Sequence, residues 1–428
     1  MRHAPINSKL FTENRKRVVE RLEKNSLAVV NANDILPTNA DGTLVMQPNA
    51  DLFYLTGIEQ EESILLLAPD AFDEKHREIL FLRQPSEHLK IWEGHKLSKE
   101  EATEISGIKE VKWLTEFDTV FRMLMCEVGQ VYLNSNEHKR AVLEVESRDA
   151  RFAKECQERF PLHDYRRLAR IMHEVRPVKS KREIDLIKKA CGITRAGFLR
   201  VLEFVKPGVN ETEVEAEFAH EFIRNGAKFA YTPIIASGAN SCVLHYLQND
   251  QKCRKGEVLL LDVASSYANY NSDLTRTIPV KGRFTRRQKQ VYKSVLRVIT
   301  EMIKGTTSGK LVKDWQKESE AMMEEELLKL GLLKPGDIRK QDPDKPALKK
   351  YFMHGLGHPI GLDVHDVGFA SSKMAPGWVM TVEPGIYIPE EGFGIRLEND
   401  VLVTEDGVVD LMEDIPIDPD EIEELMNC

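Results

Sequence analysis

Apolar positions follow two different patterns along this chain, and the change falls near residue 175. In the first part, short unbroken apolar runs stand between polar stretches. LAVV at 27–30 is the first, followed by the runs inside ESILLLAP, EILFLRQ and QVYLNS. Runs without alternation mark strands buried on both faces. FTENRKRVVERLEKNS, at 11–26, reads as a helix ahead of the first strand, and SKEEATEISG as another between strands. Residues 137–160 read as one polar helix that Pro161 stops. The stretch LPTNADGTLVMQPNAD is rich in Asn, Pro, Asp and Gly and reads as a loop. Strands alternating with helices predict an α/β layer.

The second part opens on an amphipathic helix. Ile184, Ile187, Cys191, Thr194, Phe198, Leu202 and Val205 recur in steps of three and four, which leaves one buried face. Pro207-Gly208 stops it. Asn210 with Glu213, and Thr285 with Gln288, have the spacing of capping boxes that start two further helices. A fourth helix spans about 311–330, with its Glu-rich MMEEELLKL as a solvated face. Strand pairs fill the intervals. Prolines at 161 and 177 bracket the change of pattern, and the boundary is set at 1–174 and 175–428.

Composition narrows the function. The 428 residues carry 60 basic and 69 acidic side chains, a net of −9. That balance argues against a general nucleic-acid binder, whose affinity rests on Lys and Arg at phosphates. No apolar run approaches the roughly 18 residues of a membrane span, and the first residues lack a signal peptide's apolar core. The six cysteines are scattered with no C-x-x-C, which disfavours a zinc ribbon or thioredoxin-type site. A cytoplasmic protein with reduced thiols is expected. There is no Walker motif. The glycines of HGLGHPIG miss the dinucleotide spacing, and ASGANS is not a nucleophile elbow.

Carboxylates appear where the pattern calls for apolar residues. Asp262 interrupts the run from Val258 to Val263, and a buried carboxylate needs a cation or strong donors. Asp273 follows a polar turn and opens a second strand, DLTRTIPV. The arrangement recurs near the carboxyl end, with Glu383 in one apolar strand and Glu398 in another. Along IRLENDV, Ile395 and Leu397 are expected on one face, and Arg396, Glu398 and Asp400 on the other. Two hairpins would then contribute two acids each. His245 precedes the first hairpin, and between the two lies the run FMHGLGHPIGLDVHD, which holds His354, His358 and His365. Gly355, Gly357 and Pro359 exclude a regular zinc-binding helix and point to a tight loop. Four carboxylates and one imidazole suit two divalent cations about 3.5–4 Å apart. Oxygen-rich ligation favours Mn²⁺ or Mg²⁺, with Co²⁺ and Zn²⁺ also compatible.

In these residues the chain resembles the pita-bread metallopeptidases, among them methionine aminopeptidase, prolidase and aminopeptidase P. SDLTRT, HGLGHPIGLDVHD, VEPGIY and GIRLEND resemble the prolidase and aminopeptidase P branch. PNADLFYLTGIEQEESILLL and IWEGHKLSKEEA resemble the amino-terminal domain of aminopeptidase P. The resemblance implies an α/β amino-terminal domain followed by an α+β pita-bread catalytic domain. It implies metal ligation by Asp262, Asp273, His358, Glu383 and Glu398, with Mn²⁺ first among the candidate ions. The implied activity is release of the residue that precedes a proline at the second position, by a metal-bridging hydroxide. Glu383 would move the proton, and His245 would stabilise the tetrahedral intermediate. His354 and His365 would line the substrate pocket. Arg396 would order the site and contact the peptide. Trp92 would help hold substrate in a neighbouring subunit of a homodimer or homotetramer.

The alternatives are a prolidase acting on dipeptides and, from another class, a non-catalytic pita-bread scaffold. Retention of all five ligands argues against the scaffold. Two departures stand out. Asp262 is followed by Val263 and Ala264 where the family often has Asp-x-Gly, and Asn399 stands where some relatives carry an acid. The polar stretch KPGDIRKQDPDKPALKK, at 334–350, has no assigned role.

Overall fold

A computed structural model describes residues 3–142, 144–368 and 371–428. The chain forms two compact units, Ala4–Arg176 and Pro177–Cys428.

The first unit runs α1 (Lys9–Val19), β1 (Ser26–Asn31), α2 (Ala50–Thr56), β2 (Ile64–Leu67), β3 (Glu78–Leu82), α3 (Glu87–Glu93), α4 (Lys99–Ser106), β4 (Glu110–Trp113), α5 (Phe117–Glu127), β5 (Gln130–Leu133), α6 (Arg148–Arg159), β6 (Asp164–Arg167) and α7 (Leu168–Val175). Its six strands lie in the order β4-β3-β2-β1-β5-β6. Strand β2 runs antiparallel to both neighbours, and the other pairings are parallel. Every residue of β1 and β2 is buried, as unbroken apolar runs require of strands covered on both faces. Leu27, Val29, Leu66, Phe81 and Val131 pack on one face against Phe121 and Leu124 of α5. Arg15 of α1 is buried, and one of its terminal nitrogens donates to Leu55 O and Ser106 O, carbonyls at the ends of α2 and α4.

Two helices differ from the sequence expectation. Helix α1 ends at Val19, and the chain then turns through Asn25, at φ 56°, into β1. Of the helix expected over 137–160, only Arg148–Arg159 forms; residue 143 lies outside the described residues. The Ser147 side chain accepts from Ala150 N and sets that start. Upstream, Glu137 is instead paired with Arg167 of β6.

The second unit begins with α8 (Lys181–Phe204), α9 (Glu211–Arg224), β7 (Lys228–Phe229), β8 (Ile234–Ser237), β9 (Val258–Asp262), β10 (Ser265–Tyr267), β11 (Tyr270–Asn271) and β12 (Thr275–Pro279). It continues with α10 (Arg286–Lys304), α11 (Val312–Lys329), α12 (Pro335–Arg339), β13 (Val379–Val382), β14 (Gly385–Ile388), β15 (Phe393–Arg396), β16 (Asn399–Val403), β17 (Val408–Asp410) and α13 (Pro419–Leu425). Both expected capping boxes are present, at Asn210–Glu213 and Thr285–Gln288. Helix α8 buries the expected stripe, including Ile187, Cys191, Thr194, Phe198 and Leu202. In α11 the solvated face is only partial, since Met323, Glu326 and Leu327 are buried.

The two acid-bearing hairpins share one plan. An outer antiparallel pair, β9 with β12, encloses an inner pair, β10 with β11. A second outer pair, β13 with β16, encloses β14 with β15. The acids lie at the junctions rather than within the strands. Asp262 ends β9 and Asp273 precedes β12; Glu383 follows β13 and Glu398 precedes β16. For the same reason, the expected alternation along 395–400 does not hold. The chain changes partner at Leu397–Glu398, and residues 395–400 are all buried. A strand that switches partners bends, and the bend turns the junction carboxylates toward a common point.

Candidate metal centre

Asp273, His358 and Glu398 converge, each with a ligand-type atom within 4.8 Å of the others'. His358 Nε2 lies 3.6 Å from Asp273 Oδ2 and 3.7 Å from Glu383 Oε1. The other ring nitrogen, Nδ1, is 3.0 Å from Pro359 O. Donation there assigns the proton to Nδ1 and leaves the Nε2 lone pair facing the acids, as a metal-ligating imidazole requires. Asp262 is held differently. Its Oδ2 accepts from Arg396 Nη2 at 2.5 Å. The Tyr231 hydroxyl lies 2.6 Å from both Asp262 Oδ1 and Asp273 Oδ1.

These distances bear on what the centre holds. One hydroxyl carries one proton, so it can donate to only one of two carboxylates. Burial, then Glu398 and Asp262, pushes the Asp273 carboxyl well above the usual range. Burial, then Asp262, raises Glu398 as well. Among the described residues, no lysine or arginine hydrogen-bonds to the carboxylate oxygens of Asp273 or Glu398. Buried acids crowded in this way need protons or a cation. An oxygen-rich set with one neutral imidazole is the donor chemistry of a divalent ion, so the residues fit a metal.

A second row of groups orders the first. Thr275 Oγ1 donates to Glu398 Oε2 at 2.7 Å and accepts from Arg396 Nε at 3.1 Å. Thr381 Oγ1 accepts from His358 N. Asp400 Oδ2 accepts from Asp273 N at 3.0 Å. Arg276, fully buried, donates to Glu398 O, Ile415 O and Pro416 O and to Asn399 Oδ1; Asn399 in turn donates to Asp410 Oδ2. Asn399 therefore links a buried guanidinium to an acid one step further out. Gly357 permits the approach of the histidine loop, because a Cβ there would stand 2.1 Å from Thr381 O.

Arg396, His354, His365 and His245 belong to the same unit as this centre. Arg396 Nη1 donates to the Tyr387 hydroxyl at 2.9 Å, and that hydroxyl donates to His354 Nε2 at 2.7 Å. His354 Nδ1 donates to Gly355 O. Burial, then Arg396, pushes His354 down to about 3, so its imidazole is neutral. His365 stacks on His358 with ring centroids 3.9 Å apart. His245 is exposed in the turn after a 3-10 segment. Trp92 belongs to the first unit, on α3, and is 71% exposed.

Sequence reasoning missed Tyr231, Tyr387, Thr275 and Thr381 as parts of the centre, and set Asp400 only on a face with Arg396 and Glu398. Tyrosines and threonines in apolar strands read as packing. The one usable signal is the alternation that sets Thr275 and Thr277 on the same face of DLTRTIPV.

Asp273, His358 and Glu398, with Glu383 and Asp262 beside them at the junctions of the two hairpins, form a candidate metal centre. Residues 185–405 match Metallopeptidase family M24, and residues 11–132 match the aminopeptidase P N-terminal domain. The Xaa-Pro aminopeptidase of Escherichia coli is 34% identical, covering 98% of each chain. Among solved structures, a putative aminopeptidase P from Bacillus anthracis matches with a TM-score of 0.91 and 34% identity over 99% of each chain. Zinc-substituted E. coli aminopeptidase P in complex with product matches at 0.87 and 32%, again over 99% of each. The chain belongs to metallopeptidase family M24.

Proposed function

We infer that this protein is an Xaa-Pro aminopeptidase, a hydrolase that releases the residue before a proline at position two. The observation that carries the reading is the convergence of Asp273, His358 and Glu398 beside the Arg396–Tyr387–His354 hydrogen-bond chain. The likeness to Xaa-Pro aminopeptidases over nearly the whole chain supports the substrate class.

In this reading Asp262, Asp273, His358, Glu383 and Glu398 hold two divalent cations, Mn²⁺ first. Four carboxylate ligands favour a hard ion. Bound there, the ions supply Lewis-acid polarisation of the scissile carbonyl and lower the pKa of water. Glu383 takes the proton from the attacking water and passes it to the leaving proline nitrogen as the C–N bond breaks. His245 donates to the carbonyl oxygen as negative charge develops there. His354, neutral and held through Tyr387 to Arg396, lines the peptide pocket together with His365. Arg396 keeps Asp262 oriented. Trp92, with Ile91 also exposed on α3, is presented to the site of a neighbouring copy in a homodimer or homotetramer. The six cysteines carry free thiols, consistent with a reducing cytoplasm. No helix among the described residues is long and apolar enough to cross a membrane.

The deciding assay compares Xaa-Pro-Yaa tripeptides with Xaa-Pro dipeptides under Mn²⁺. Tripeptide cleavage that chelation abolishes is expected, with near-complete loss in Asp262→Asn and Glu383→Ala. Preference for the dipeptide would move the reading to prolidase. Inertness toward both in metal-loaded protein would remove it.

A further inference from the structure

The His245 ring makes no hydrogen bond within the described residues, so its aim is set by its backbone. That backbone is clamped on both sides. Ahead of it, Ser241 Oγ accepts from Gly394 N at 2.7 Å, which ties the turn to β15, the strand that carries Arg396. Gly394 allows this contact, since a Cβ there would lie 2.6 Å from Ser241 O.

The second clamp is Glu211, the first residue of α9. It is fully buried and accepts four hydrogen bonds. Its Oε1 takes Ser237 N and Ser237 Oγ, each at 2.7 Å. Its Oε2 takes the Tyr246 hydroxyl and Gln251 N, each at 2.9 Å. One carboxylate thus joins the end of β8, the residue following His245, and the end of the returning loop. A buried carboxylate is costly unless its lone pairs are filled, and here they are filled entirely by the segment that carries His245. Its neighbours on α9 hold the same segment. Thr212 Oγ1 donates to Asn249 O at 2.6 Å, and Asn210 Nδ2 to Asp250 O at 2.9 Å. Asn249, at φ 48°, donates to Glu215 Oε2. The Tyr246 ring packs with Ile234, Ala236, Leu260 and Tyr387. The clamp therefore reaches the tyrosine that holds His354.

We propose that Glu211 is a positioning residue for the reaction, acting through His245: its buried carboxylate sets the turn that aims the imidazole at the substrate carbonyl. The proposal rests on the Xaa-Pro aminopeptidase reading for its consequence, but not for its geometry, and the test separates the two.

Steady-state kinetics on an Xaa-Pro-Yaa tripeptide are measured for the metal-loaded full chain as wild type, Glu211→Gln, His245→Ala and the double variant. Glu211→Gln is expected to lower kcat about tenfold with KM changed less than about twofold, because misaim of a transition-state donor is felt in kcat. On the His245→Ala background the same substitution is expected to cause no further loss. An equal fold-loss on both backgrounds overturns the proposal. Independently of turnover, the histidine ring signals are read by NMR in labelled protein, with those of His245 identified by their absence in His245→Ala. In Glu211→Gln they are expected to shift and broaden while those of His354 stay in place; an unchanged His245 signal overturns the positioning role. If Glu211→Gln does not fold, Tyr246→Phe removes one hydroxyl from the clamp and carries both measurements. A wild type that fails to cleave overturns the peptidase reading alone, and the ring signals still decide the clamp.

Discussion

Asp273 has three other carboxylates pressing on it, from Glu398, Asp262 and Asp400, in a site buried from water. Without a cation, this residue destabilises the fold that carries it. Asp273→Asn should therefore raise the melting temperature of the chelated protein, by about 2–4 °C for each kcal/mol of repulsion removed. The same variant should lose most of the rise that Mn²⁺ gives the wild type, and thermal unfolding with and without metal checks both. A second acid makes a pH prediction. Burial pushes Asp149, in the first turn of α6, up to about 6, although Asn31 Nδ2 donates to it at 2.9 Å. Its folded pKa lies above the unfolded value of about 3.9, so between those values the folded state holds more protons than the unfolded. Stability contributed there is full below about pH 4 and falls as pH rises through about 6, by about 1–3 kcal/mol. Asp149→Asn should flatten that fall in denaturant unfolding run from pH 4 to 7; an unchanged slope would refute the assignment.

At the scale of elements, a buried ion pair ties the histidine loop to the segment before α8. Lys179, just before α8, meets Asp366 at 3.0 Å, with both side chains 1% exposed. Asp366 follows His365 directly, and its Oδ1 caps Val367 N. Removing one partner leaves a buried charge unpaired. Asp366→Asn should cost about 3–5 kcal/mol, whereas Lys179→Met with Asp366→Leu should cost less than either single change, since a well-packed apolar pair often replaces a buried ion pair without loss. A double-mutant cycle by chemical denaturation measures this. The helices of this unit were legible from their caps and apolar stripes, since both signals are local. The polar stretch at 137–147 was misread as helix because it has no apolar period. What ends it is Glu137 pairing with Arg167, which no spacing shows.

Over the whole molecule, the candidate metal centre lies in the unit at 177–428 among the described residues. Chelation should therefore lower the calorimetric transition of that unit and leave the other in place, by about 4 kcal/mol if free metal stood at a thousand times its Kd. Movement of both transitions together would show that the two units unfold as one. The matches to the two families divide along the chain in the same sense, residues 11–132 to one and 185–405 to the other.

The sequence by itself singled out the candidate acids, since an ionised side chain in an apolar strand is costly unless a cation or strong donors meet it. It also showed helices α8 to α11, because period and caps are local. The echo of two acid-bearing hairpins was visible in the same way. What only the tertiary structure decided is how those acids meet. Each stands at a junction where the chain leaves an outer strand pair for an inner one, and pairing partners are long-range choices. Tyr231, Thr275, Tyr387 and Glu211 belong to that level too. Each is an ordinary residue for its local pattern, and it gains a role only from the groups that folding brings to within 3 Å of it.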